Sequence, residues 1–182
     1  MYPPREDTFL MNQALSKLSL EGKKVLELGC GNSYNSFFCA EQGAKVFALD
    51  IDYDALEISK EEAQKKGLEI TFINSDMFTF LKEKDFDIIF FNPPYLVSDE
   101  IKEIALDGLE KGRHFIDLFI ADFDKFLKPK GTALLLHTDY NDLEETKKKL
   151  EKKGWKYKLV GEESFFFERL YILKIYLNER FI

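Results

Sequence analysis

Short β-rich runs alternate with helical patterns along the whole chain, and this alternation leaves few folds open. Residues 24–28, 45–49, 70–73, 86–91, 133–137, 157–160 and 170–177 read as strands. Helical spacing occupies 35–42, 53–66, 113–126 and 142–153, with Gly43, Gly67 and Gly154 at the stops. A parallel pair of strands needs a crossover long enough to hold a helix, so strict alternation implies a parallel sheet covered on both faces. The expected fold class is α/β: a doubly wound, Rossmann-like, seven-stranded and mostly parallel sheet with helices on both faces. Only 162–168 separate the last two strands. That is too short for a parallel crossover, so the last strand should run antiparallel to its predecessor or to a neighbour. A further helix is expected over 6–19, with Asp7 or Thr8 near its start and Phe9, Leu10, Ala14, Leu15 and Leu18 on its apolar face.

The length of 182 residues suits one domain, with an N-terminal helical segment over 1–20 and a core over 21–182. Aromatic residues make up 15%, Phe alone counting 18, which excludes a disordered chain. With 26 Lys+Arg against 33 Asp+Glu the net charge is -7. Proteins that coat duplex nucleic acid need clustered Lys and Arg, so that class is disfavoured, although a local basic groove stays open. Cys30 and Cys39 are too few for a disulfide scaffold and lack the paired spacing of a zinc site, and with only 2 His no metal centre is expected. No apolar run approaches the roughly 18–20 residues of a membrane span, and the N-terminal residues lack the basic-then-apolar order of a signal peptide. The expectation is a cytoplasmic protein with reduced thiols.

The first strand runs through Glu27 into Gly29-Cys30-Gly31, a turn that opens a helix. Glycines at such a turn let the backbone pass close to a ligand. Taken alone, Gly-x-Gly fits an ordinary strand-to-helix turn, and the third glycine of the dinucleotide fingerprint is missing. Asp50 shifts the balance, because it ends the second strand 21 positions after Gly29, near the spacing at which an acid reaches ribose hydroxyls. Asp76, after the third strand, is placed to face an adenine; by itself it reads as the N-cap of a short helix over 77–80, and both roles can coexist. No Gly-Lys-Ser/Thr follows the turn, and Glu27 would repel a pyrophosphate. A phosphate-free adenosine cofactor bearing an ammonium fits better, and S-adenosyl-L-methionine has that chemistry.

The fourth strand is almost wholly apolar and stops at Asn92-Pro93-Pro94-Tyr95. Two prolines cannot continue a ladder, and ligands of open α/β sheets bind at this carboxyl end. The residue types suit methyl transfer to a planar nitrogen, whose delocalised lone pair must be freed while both N–H bonds are held. The Asn92 side-chain oxygen can accept one N–H and the Pro93 carbonyl the other, while proline stiffens the loop and adds no competing donor. Tyr95 can cover the planar face of the substrate. Positioning to about 3 Å, rather than a strong base, would carry the catalysis. His114 and His137 read as a helix-surface residue and a strand-end residue.

On these residues the chain resembles the HemK-type S-adenosylmethionine-dependent methyltransferases, a class I methyltransferase fold, in their short archaeal and eukaryotic branch. The resemblance rests on residues 2–10, 27–31, Asp50, Asp76, 92–95, 107–113 and 167–173. Asn-Pro-Pro-Tyr alone is shared with nucleic-acid amino-methyltransferases, whereas the N-terminal segment combined with 107–113 is much more specific. The resemblance implies that Thr8, Glu27, Gly29, Asp50, Asp76, Met77 and Asn92 line the cofactor site and that residues 92–95 hold a substrate amide. It also implies the reaction: methylation of the side-chain amide of the glutamine in the Gly-Gly-Gln motif of a class I release factor, often with a small zinc-binding activator subunit covering an apolar patch. Leu109 stands where the family has a second glycine, and the glycine turn lacks the family's later small residues. The alternative is an amino-methyltransferase of adenine or guanine in RNA or DNA, which would need a flipped or single-stranded base and usually a basic surface.

Overall fold

In β1 (Lys24–Leu28) and β4 (Phe86–Phe91) side chains are buried on both sides of the strand, which requires cover on both faces of a sheet. The computed structural model describes residues 4–82, 84–94, 105–165 and 169–177, with the backbone alone for 105–112. Among them, β2 (Lys45–Asp50), β3 (Ile70–Asn74), β5 (Leu127–Thr138), β6 (Lys156–Ser164) and β7 (Arg169–Tyr176) join β1 and β4 in one seven-stranded sheet, in the order β3-β2-β1-β4-β5-β7-β6. The pairs from β3 to β5 are parallel. Only β7 runs the other way, paired antiparallel to both β5 and β6, as the short final connection requires. The winding reverses between β1 and β4, so a topological switch point opens at their carboxyl ends.

The helices are α1 (Glu6–Leu15), α2 (Tyr34–Glu41), α3 (Tyr53–Lys66), α4 (Ala105–Asp122) and α5 (Leu143–Lys152). Local chemistry sets their ends. The Asp52 carboxylate caps α3 by accepting from the Asp54 and Ala55 amides at 3.0 and 3.1 Å, and Gly67 closes it at φ +68°. α1 stops at Leu15, short of the expected 19. The helix expected over 113–126 starts earlier, at Ala105, and gives way to a 3-10 turn at Phe123–Lys125. No helix follows Asp76: Met77 adopts φ +47°, and the Ser75 hydroxyl donates to the Met77 carbonyl at 2.9 Å while accepting from the Phe80 amide at 3.0 Å. The residues form a turn tied by Ser75, which removes the expected N-cap role of Asp76.

Both faces of the sheet are apolar. On one, Phe119 of α4 and Phe123 of the 3-10 turn that follows it stack onto Phe91 of β4, with Phe91–Phe119 centroids at 5.6 Å and Phe119–Phe123 at 5.2 Å, the row ending on Trp155 after α5. On the other, Leu10, Met11, Ala14 and Leu15 of α1, which packs against β5, β6, β7 and α2, share one buried cluster with Val46, Ile88, Phe90, Leu134 and Leu136. Much of the Phe content is therefore core, and Phe91 anchors the strand end immediately before Asn92.

Candidate active site

At the carboxyl ends of β1 to β4 lies a cavity of about 690 Å³, within the usual size of small-molecule sites. Thr8, Glu27, Gly29, Gly31, Asp50, Asp76, Met77, Asn92, Pro93 and Pro94 all line it. Tyr95 lies outside the described residues. The cavity also takes in Asp7 from α1, Asn35 from α2, Ile51 after β2, and His114, Phe115 and Leu118 from α4. Of these, the sequence marks Asp7 only as part of the 2–10 segment near a helix start and His114 only as a helix-surface residue; Asn35, Ile51, Phe115 and Leu118 read as ordinary surface or core.

Gly29 and Gly31 have φ of +59° and +47°, a region that only glycine occupies cheaply. The turn they form is tied to the second strand: the Gly31 amide donates to Asp50 Oδ2 at 2.7 Å and the Asp52 amide to Asp50 Oδ1 at 2.9 Å. Each carboxylate oxygen of Asp50 thus keeps acceptor capacity for a hydroxyl. Asn74 Nδ2 bonds the carbonyls of Asp50 and Ile51 at 3.1 and 2.9 Å, holding this strand end against β3.

Glu27 is 5% exposed. Burial pushes its carboxyl up to about 8, with the nearby Asp50 charge adding to the rise; the Ser36 hydroxyl, which donates to it, opposes the shift without cancelling it. A carboxyl in this state gains most from a cation brought beside it. Asn35 Oδ1 and Asn92 Oδ1 are buried with no hydrogen-bond partner among the described residues. A buried carbonyl oxygen left unpaired costs about 1–3 kcal/mol, so two of them lining one cavity mark acceptors for a ligand. Asn92 Nδ2 donates to Asp7 Oδ2 at 2.8 Å.

The histidines fall as their sequence positions indicate. His114 is exposed on α4, at the cavity rim. His137 is buried at the end of β5, its ring bonded to the Thr138 carbonyl and the Thr146 hydroxyl at 3.0 Å each, and burial lowers its pKa to about 4. Cys30 and Cys39 are free thiols, both buried. Among the described residues no cluster of His, Cys, Asp or Glu could hold a metal, and no helix is long and apolar enough to cross a membrane.

The donor set suits an adenosine cofactor with a cationic amino-acid end. Asp50 offers acceptors to hydroxyls, Glu27 a carboxyl awaiting a positive charge, and the glycine turn no cationic side chain for phosphate. A family described as a methyltransferase domain matches residues 19–171. A Methanocaldococcus jannaschii protein, provisionally named a protein N5-glutamine methyltransferase, is 34% identical over 180 residues, which cover 95% of this chain and 90% of that one. The human methyltransferase HEMK2 is 30% identical over 170 residues, covering 85% and 79%. Among solved structures, the E. cuniculi Mtq2–Trm112 complex, responsible for methylation of the eRF1 translation termination factor, superposes with TM-score 0.76 at 26% identity, over 97% of this chain and 98% of that one.

Proposed function

The chain belongs to the methyltransferase-domain family and to its HemK-type members, and from that membership we propose that it methylates the side-chain amide nitrogen of the glutamine in the Gly-Gly-Gln motif of a class I release factor. The observation that carries this reading is Asn92 Oδ1 at the end of β4, buried and without a partner among the described residues, in the same cavity as the adenosine-type strand ends. S-adenosyl-L-methionine is the methyl donor, and when bound it supplies an electrophilic methyl on a sulfonium.

The chain's own residues then do the rest. Asp50 would accept from the ribose hydroxyls, Asp76 and Met77 would hold the base, and Glu27, once ionised, would hold the ammonium of the amino-acid end. Thr8 and the glycine turn shape the passage between them. Asn92 Oδ1 would accept one N–H of the substrate amide and the Pro93 carbonyl the other, turning the nitrogen lone pair out of conjugation; the transfer leaves the spent donor as a neutral thioether and releases one N–H proton to solvent. Pro93 and Pro94 keep those acceptors in place without adding an N–H. We read 1–182 as a single methyltransferase domain, cytoplasmic, working with a small zinc-binding activator subunit. Tyr53, Ile58 and Phe80 are exposed apolar side chains outside the cavity lining and are candidates for contact with such a partner.

The test is a paired transfer assay with labelled methyl donor, with and without the activator. One arm offers a class I release factor and the other single-stranded and duplex RNA and DNA. Label on the release factor alone supports the reading; label on nucleic acid alone would assign the enzyme to base amines instead.

A further inference from the structure

The two ends of an asparagine amide have almost the same shape, so which one faces a ligand is decided by what holds the other. Here the holder is Asp7. Its Oδ2 accepts from Asn92 Nδ2 at 2.8 Å across 85 positions of sequence. A carboxylate accepts and does not donate, so this contact suits only the nitrogen end of the amide. The oxygen end is left buried and without a partner among the described residues, and both residues line the cavity. Asp7 is itself steadied: it is 7% exposed in the first turn of α1, and its Oδ1 accepts from the Thr8 hydroxyl at 3.3 Å.

We infer that Asp7 is a positioning residue for methyl transfer, locking the Asn92 amide with its oxygen toward the substrate and thereby selecting nucleophiles that present N–H. This deepens the function proposed above and rests on Asn92 being the substrate's acceptor. It gives α1 a task beyond covering the sheet, since the first turn of that helix sets the polarity of a group on β4's end.

The contact has a reciprocal test. In Asp7→Asn the new amide can donate to Asn92 Oδ1, turning Nδ2 toward substrate N–H groups, donor against donor. In Asn92→Asp two carboxyl groups oppose one another. In the double variant D7N/N92D the new amide at position 7 donates to the new carboxylate at position 92, whose second oxygen restores the acceptor. The measurements are kcat and KM with the release factor and activator, cofactor affinity by calorimetry, and the Asn92 side-chain amide resonances by NMR.

D7N should lower kcat on the order of 100-fold, as loss of one preorganised contact does, with cofactor affinity changed less than about 3-fold. Asp7→Ala, which frees the amide without reversing it, should lose less than D7N, and the double variant should exceed both singles by at least about 10-fold. Folded D7N with unchanged kcat, or a folded double variant no better than the weaker single, would overturn the inference. The NMR arm stands apart from activity: Asn92 amide resonances that do not move in Asp7→Ala would overturn it even if no glutamine were methylated, whereas an inactive wild type with a large shift would count against the proposed substrate alone.

Discussion

The Ser36 hydroxyl donates to the Glu27 carboxylate at a site where burial dominates, so that carboxyl holds its proton up to about 8. The unfolded chain releases the same proton near 4.5. Between these values the folded state binds more protons than the unfolded one, so stability falls as pH rises from about 5 through about 8. Melting temperature of the cofactor-free protein should decline across that window, and Glu27→Gln should flatten the decline. Cofactor binding should strengthen with pH over the same range while releasing a proton, measurable by calorimetry in buffers of different ionisation enthalpy. A flat wild-type profile would contradict this account of Glu27.

Asn92→Ala removes the unpaired acceptor and leaves the cavity walls in place. It should lower kcat about 100-fold or more with the fold intact and cofactor affinity nearly unchanged, read by single-turnover kinetics beside a melt.

The place of Asn92 was legible in the sequence because an apolar run ended by two prolines can only be a central strand stopping at a sheet's carboxyl edge. That Gly29 and Asp50 meet at one cavity was legible through their spacing, and Glu27 through its place just before the glycine turn. The pairing of Asn92 with Asp7 was not: an acid in the first turn of a helix reads as a favourable charge at the helix start, and only folding brings α1 beside β4. Asp76 misled for a related reason. Nothing around Met77 breaks a helix, and the turn there depends on the Ser75 side chain bonding its own neighbourhood. The strand expected over 133–137 begins earlier, at Leu127, and its first half contains Pro129 and Gly131, residue types that disfavour a strand.

Gly29→Ala tests the turn. At φ +59° a Cβ is strained, and it would stand 3.4 Å from the Phe91 ring. The variant should lose about 1–2 kcal/mol of stability in chemical unfolding, and weaken cofactor binding because the turn and Phe91 line the same cavity.

Arg113 explains the end of the 107–113 segment in physical terms. Its Nη1 donates to the Asn141 and Asp142 carbonyls at 3.0 and 3.1 Å and to the Thr146 hydroxyl at 2.6 Å, while Nε donates to Asp117 at 2.9 Å. These bonds fasten α4, which carries His114, Phe115 and Leu118 to the cavity, against the start of α5. Lysine cannot reproduce the fork. Arg113→Lys should cost about 1–3 kcal/mol in thermal or chemical unfolding and raise KM for the protein substrate more than it weakens cofactor binding.

The most direct measurement is mass spectrometry of a class I release factor after incubation with the enzyme, its activator and S-adenosyl-L-methionine. The account predicts one added methyl, localised by fragmentation to the side chain of the Gly-Gly-Gln glutamine and absent when Asn92→Ala replaces the wild type. An unmodified glutamine, with methyl found instead on the exocyclic amine of a nucleobase in the parallel RNA and DNA reactions, would contradict it.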